Sequence, residues 1–181
     1  GSDLVYMGGV IETGAQVIIR QMKEVGLVAP RVRFMGPDGL LEEELLKGAT
    51  CEVAMATDMR VTFAGLPFEK MKGVGAKTYE EYKKKFGKEP TAYALYAAEG
   101  GRVAVEAFKR AAPEIDRAKD ITEKREALRK AISLTKNFEG INGKWSFDAN
   151  GDADYGTMSG FKAVKADTRV GCKFQFQTIL E

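Results

Sequence analysis

Two short apolar runs, each stopped by glycines, constrain this chain more than any other feature. Asp3-Leu-Val-Tyr-Met7 ends at Gly8-Gly9, and Arg31-Val-Arg-Phe-Met35 ends at Gly36-Pro37-Asp38-Gly39. The first run has no polar alternation, the pattern of a strand covered on both faces. Between the runs, Ala15, Ile18, Ile19, Met22 and Val25 keep the spacing of an amphipathic helix, with Arg20, Gln21 and Lys23 outward. Thr13 is the expected N-cap and Gly26 the expected C′ residue. Strand, helix and strand then form a right-handed crossover unit. Its two glycine loops share one edge of a sheet, where open α/β sheets hold ligands.

The rest of the chain extends this pattern. Leu40 to Lys47 reads as a short helix, acidic at Glu42, Glu43 and Glu44, and Cys51 to Ala56 as a third strand. Residues 3–57 are therefore expected to be β-α-β-α-β, and Met59 to Gly75 a connector. Thr78-Tyr-Glu-Glu81 has the form of a capping box, opening a helix that Gly87 ends. A long helix is expected from Ala92 to Ala112, stopped by Pro113. Gly100-Gly101 at its middle costs roughly 1 kcal/mol per glycine relative to alanine; close packing against another backbone or a kink would account for that. Asp120 and Glu123 form a second capping box, for a helix to about Lys136. Gly143 to Phe147 is a short strand carrying the only tryptophan, Trp145, and 158–164 and 172–179 read as antiparallel strands. The expected fold class is α/β: a three-layer parallel sheet flanked by helices, flavodoxin-like.

Composition excludes several function classes. The 28 basic and 26 acidic residues nearly cancel, so overall charge makes no case for nucleic acid or an anionic membrane. No apolar run approaches the ~18 residues of a membrane span. The chain has no histidine, which removes Ser-His-Asp and Cys-His catalysis and His-bearing metal sites. No cofactor is expected, and no enzyme activity. Cys51 and Cys172 are too few for a structural zinc; they would pair in an oxidising compartment and sit as two buried thiols in cytosol.

Three motifs have a functional and a plain reading. Gly73-Val-Gly-Ala-Lys-Thr78 is similar to the end of a phosphate loop, but Ala76 and Met71 stand where glycines are required. It reads as a loop before a helix. Asp148-Ala-Asn-Gly-Asp-Ala-Asp154 is similar to the start of a calcium loop, yet Ala153 replaces the glycine and Ser159 the bidentate glutamate. It reads as a solvated turn. Asp38 is either a turn former or a carboxylate facing an ammonium group at the sheet edge.

Asp3-Leu-Val-Tyr-Met-Gly-Gly9, Gln16-Val-Ile-Ile-Arg-Gln-Met22 and Phe34-Met-Gly-Pro-Asp-Gly39 together resemble the second lobe of type I periplasmic binding proteins, closest to the branched-chain amino-acid-binding branch serving ABC importers. Tyr82 to Pro90, Ala92 to Tyr96 and Phe138 to Asp152 follow in the same order. The resemblance covers almost the whole chain, but family members are about twice as long, so it is to their C-terminal half. It implies a two-lobed solute-binding protein, here incomplete, with the ligand held between lobes and a membrane permease as partner. Residues 3–57 and 158–181 would belong to the second lobe and 76–150 to the first, with 58–75 a hinge connector and 151–157 a crossing. Asp38 would hold the ligand's α-ammonium, with Gly9 and Val10 beside it; relatives that bind leucine often carry an aromatic residue where Val10 stands. The family is exported, which favours a Cys51–Cys172 disulfide and a periplasmic or extracellular location, although no signal peptide is seen and Gly1-Ser2 resembles a cloning remnant. Helices lacking their first-lobe sheet would drive the chain to a homo-oligomer or domain-swapped dimer. The competing expectation is an autonomous flavodoxin-like domain binding a nucleotide or phosphate, or a half-protein that binds nothing.

Overall fold

A computed structural model describes residues 1–91, 93–166 and 171–180. In chain order its elements are β1 (Leu4–Tyr6), α1 (Ala15–Glu24), β2 (Arg33–Gly36), α2 (Ala49–Ala56), β3 (Arg60–Ala64), α3 (Val74–Phe86), α4 (Ala94–Arg117), α5 (Ile121–Ser133), β4 (Phe138–Gly140), β5 (Gly143–Trp145), β6 (Met158–Lys165) and β7 (Cys172–Leu180). They divide into two units, Gly1–Pro67 with Thr157–Glu181, and Phe68–Gly156. Ala92, the expected start of the long helix, lies outside the described residues, as do 167–170 and 181 of the last expected segment.

The first unit is an α/β sheet of order β1-β2-β3-β6-β7. β1, β2 and β3 run parallel, while β6 and β7 continue the sheet antiparallel. Val5, Phe34, Val61, Phe161, Ala163 and Phe174 face one core with Ala15, Ile19 and Met22 of α1 and Val53 and Ala54 of α2. Their strand neighbours Leu4, Tyr6, Arg33 and Arg60 alternate onto the other face and are exposed. On that face Arg33, Arg60 and Lys162 converge on Asp58 at 3.0, 3.2 and 2.6 Å. Partial burial pushes the Asp58 carboxyl up, but the hydrogen bonds from Lys162, Arg60 and Arg33 outweigh it and hold the group below its usual range. β3 and β6 pair from Arg60↔Lys162 to Ala64↔Met158. Beyond the pair, the Gly65 amide donates to the Thr157 carbonyl at 2.7 Å and the Ser159 hydroxyl donates to the Gly65 carbonyl at 2.6 Å.

Four local readings are corrected here. Cys51 to Ala56 is helix α2, not a strand. A short apolar run does not distinguish the two, and alanine, glutamate and methionine favour helix. The third parallel strand is β3, inside the segment 58–75 expected to be a connector; its Val61 and Phe63 are buried while Arg60 and Ala64 are exposed. Leu40 to Lys47 forms no α-helix: 3₁₀ turns at Asp38–Leu40 and Glu43–Leu46 bury Leu40, Leu45 and Leu46. Thr13 is not the N-cap of α1, because Gly14 at φ 92° occupies that position and Thr13 ends a preceding 3₁₀ turn. At the other end of α1, Gly26 has the expected positive φ, and Leu27 N donates to the Met22 carbonyl at 2.8 Å, closing a Schellman turn.

The second unit packs α4 on α5 and on the β4–β5 hairpin. Leu95, Glu99, Val103, Ala107 and Ala111 form the buried line of α4. Ala107 and Ala111 meet Ala131, Leu128 and Ile132 of α5, while Val103 meets Phe138 and Trp145. α4 does not stop at Pro113 but runs on to Arg117. The proline removes one helix hydrogen bond; Ala111 before it and Ile115 after it pack into the α5 contact, which keeps both sides helical. α3 starts at Val74 rather than Thr78, whose hydroxyl bonds back to the Val74 carbonyl at 2.8 Å. Asp120 caps α5 as expected, its Oδ1 accepting from Glu123 N at 2.9 Å. Gly100 and Gly101 face open space, so neither close packing nor a break in the helix among the described residues accounts for them. No helix is long and apolar enough to cross a membrane, among the described residues.

Candidate ligand-binding site

The C-terminal ends of β1 and β2 bring two loops into contact. The β1–β2 ladder continues one step further, with Met7 N donating to the Met35 carbonyl at 2.9 Å. The chain then turns at Gly8-Gly9 into the 3₁₀ turn Ile11–Thr13. Thr13 locks that loop: its Oγ1 accepts from Val10 N at 3.1 Å and donates to the Val10 carbonyl at 2.7 Å. A Cβ on Gly9 would come within 2.5 Å of Thr13 Oγ1, so no larger residue fits without displacing this clasp.

The second loop closes against the first at Gly39. A Cβ there would lie 2.6 Å from Val10 Cγ1 and 3.0 Å from the Gly9 carbonyl oxygen. Gly9, Val10 and the Pro37-Asp38-Gly39 turn are thus neighbours, although nearly thirty residues separate them in the sequence. Asp38 opens a 3₁₀ turn whose Leu41 N donates to the Asp38 carbonyl at 2.9 Å, and its residue is half-buried. Val10 is 42% exposed, an apolar side chain offered at the edge of the sheet. Glu12 and Glu42 also approach each other here: burial first, then the charges of Glu12 and Glu43, push the Glu42 carboxyl up. Glu42 stands out in the sequence only as a helix-start acid; Glu12 lies thirty positions away, and no local pattern joins them.

The loop edge gathers the carboxylates Asp38, Glu12 and Glu42 around the apolar Val10. Among the described residues no group of three or more Cys, Asp or Glu side chains is arranged to hold a metal ion. The calcium-like stretch is a self-satisfied turn, with Asp148 Oδ1 accepting from the backbone of Asn150 at 2.8 Å and of Asp152 at 2.9 Å. Those backbone donors, Asp152 first, hold the Asp148 carboxyl low. The phosphate-loop-like stretch is the first turn of α3, with Gly75 pressed onto the Ile141 carbonyl and Lys77 paired with Glu81 at 3.8 Å. Cys51, on α2, is bonded to Cys172, at the start of β7, across a Cα–Cα distance of 5.4 Å.

Residues 1–167 match the family model described as periplasmic binding protein. The chain belongs to that family. This periplasmic binding protein shares its fold with leucine-binding protein LivK of Thermotoga maritima, which matches 98% of this chain and 44% of its own length at 24% identity and a TM-score of 0.71. The Leu-, Ile-, Val-, Thr- and Ala-binding protein of Brucella ovis, in a closed conformation, matches 99% of this chain and 43% of its own length at 18% identity and a TM-score of 0.62. A solute-binding protein of an ABC transporter from Rhodopseudomonas palustris, solved with 3,4-dihydroxybenzoic acid, matches 99% and 45% at 19% identity and a TM-score of 0.59. The chain spans less than half the length of each of these structures. No significant match was found among curated protein sequences.

Proposed function

We propose that this chain is part of the extracytoplasmic solute-binding component of an ABC importer for amino acids or related small carboxylates. The observation that carries the reading is the pair of touching loops at the carboxyl edge of a parallel sheet, Gly8–Val10 against Pro37–Gly39, in a periplasmic binding protein. Asp38 takes the ligand's ammonium group by charge and hydrogen bonding, and Val10 flanks its side chain. The solute is enclosed by hinge closure of two lobes and handed to a membrane permease. Residues 3–57 and 158–181 belong to one lobe and 76–150 to the other. The Cys51–Cys172 bond favours an oxidising, extracytoplasmic setting.

Isothermal calorimetry tests the site. The chain by itself binds leucine weakly or not at all, because the groups that would hold the ligand's carboxylate belong to the portion of its relatives it does not span. Tight binding by the chain alone would overturn that division of the site. In the longer protein, Asp38→Ala weakens amino-acid binding by roughly 100-fold, the worth of a charged hydrogen-bonded contact. Unchanged affinity would remove Asp38 from the site.

Self-association of the isolated chain belongs to the same proposal. α4 carries an apolar stripe on its outward side besides its buried line: Val105 is 55% exposed and Phe108 52%, in line with exposed Ala97, Gly101 and Ala104. An exposed apolar stripe of this kind is a surface that association would cover. Light scattering on the pure chain is expected to give a dimer or larger; a monodisperse monomer would exclude it.

A further inference from the structure

The near-cancelling charge of the whole chain conceals a local segregation at the C-terminal tip of α3. Lys83, Lys84 and Lys85 occupy its last turn, Gly87 ends it at φ 66°, and Lys88 follows. Cations at a helix C-terminus are ordinary, since they face the negative end of the helix dipole. Two further facts separate this tip from that default. Two of the helix's lysines are neutralised locally: Lys77 pairs with Glu81 at 3.8 Å, and Lys83 with Glu89 at 2.9 Å. Glu89 is further occupied by the Tyr79 hydroxyl, which donates to it. Lys84, Lys85 and Lys88 are exposed and form no ion pair among the described residues. In their midst Phe86 is 53% exposed. Its ring lies 4.6 Å from that of half-buried Tyr82, which braces it, and the Lys85 ammonium sits 5.3 Å from the Phe86 centroid.

We propose that this tip, formed by Lys84, Lys85, Phe86 and Lys88, docks on anionic phospholipid headgroups. Three ammonium groups without a carboxylate partner among the described residues complement a negatively charged leaflet, and a projecting aromatic ring enters the interfacial layer between headgroups. Phe86 favours a lipid surface over a soluble phosphate, which uses the lysines but gains nothing from an exposed ring; an acidic polypeptide is the competing occupant that the experiment separates. The inference stands apart from the proposed solute site, which it neither uses nor needs.

Vesicle co-sedimentation tests it with the chain as it is. The chain is expected to partition onto vesicles containing about 40% phosphatidylglycerol in phosphatidylcholine, to ignore pure phosphatidylcholine and to be released by high salt. The triple variant K84E/K85E/K88E lowers partition by roughly 100-fold, and Phe86→Ser weakens it by roughly tenfold with the salt dependence kept. Should the charge reversals impair folding, seen as an altered Trp145 emission, K84Q/K85Q/K88Q gives the same test. Failure of the unaltered chain to bind the anionic vesicles overturns the proposal, as does full binding by the triple variant. Binding to polyglutamate that matches lipid binding and is unaffected by Phe86→Ser overturns it too, in favour of an acidic protein partner.

Discussion

Replacing Cys51 and Cys172 with serine destabilises the first unit by about 3–5 kcal/mol, or roughly 20 °C in melting temperature. The bond closes a segment of 121 residues, so it removes a large share of the unfolded chain's freedom. It also ties β7 to the helix layer. β7 is an edge strand that pairs only with β6, and its last four described residues, from Gln177 to Leu180, are exposed. Without the tie, the β6 ladder and the packing of Phe174 on the core are left to hold it. Urea melts of the double serine variant, or of the unaltered chain with and without reductant, measure the effect. Coincident curves would show that the sheet keeps its edge unaided.

Replacing Glu99 with alanine costs the second unit about 2–5 kcal/mol, because two buried donors lose their acceptor at once. One carboxyl oxygen of Glu99 accepts from Trp145 Nε1 at 3.0 Å, and the other accepts from the Ile141 amide. The residue is only 5% exposed. No Cβ could be accommodated at Gly140, where it would lie 2.3 Å from Trp145 Nε1 and 2.7 Å from Glu99 Oε1. The hairpin is therefore shaped around this carboxyl group. Nearby Tyr96, whose hydroxyl accepts from Asn142 Nδ2 at 2.9 Å, is buried enough to push its phenol up to about 12. Glu99→Gln is the milder variant, since an amide keeps one acceptor and turns its NH₂ toward the other donor. As the sole tryptophan, Trp145 reports this unit selectively: its emission should shift to the red and its melt should come earlier in Glu99→Ala. A variant that melts with the parent would mean the two donors find water or another acceptor.

The two changes separate in their readouts. The serine pair acts on a unit without tryptophan, and Glu99→Ala on the unit that contains it. Near-ultraviolet signals from Trp145 are thus expected to follow the second variant and not the first.

Local chemistry made part of this molecule legible in advance. Glycines after β1 and β2 marked the touching loops, Asp120 marked the start of α5, and alternation of Phe174 and Phe176 with lysine and glutamine marked β7. Where two structures share one local pattern, reading failed. Cys51 to Ala56 is apolar enough for a strand, but its alanines and its packing against α1 and β6 make it a helix. β3 was hidden because its flanking glycine and Pro67 resembled a connector. Pro113 signalled an end that packing on α5 overrides. Glu99 sits in a helix between Ala98 and Gly100, and nothing local discloses that it is buried against Trp145. For the candidate site, Gly9, Val10 and Asp38 could be named from sequence, but their contact through Gly39 and the approach of Glu12 to Glu42 belong to the tertiary fold.

β3 and β6 are neighbouring antiparallel strands joined in register to Ala64↔Met158, with Gly65 and Thr157 bonded just beyond. Topologically that is a β-hairpin, and everything from Phe68 to Gly156 is its loop. Loop-closure entropy grows only slowly with length, so a hairpin can carry an entire folding unit where a few turn residues would do. The first unit is then a contiguous sheet with a guest inserted at one turn. A short glycine-containing turn from Gly65 to Thr157 would restore the host as a single uninterrupted domain.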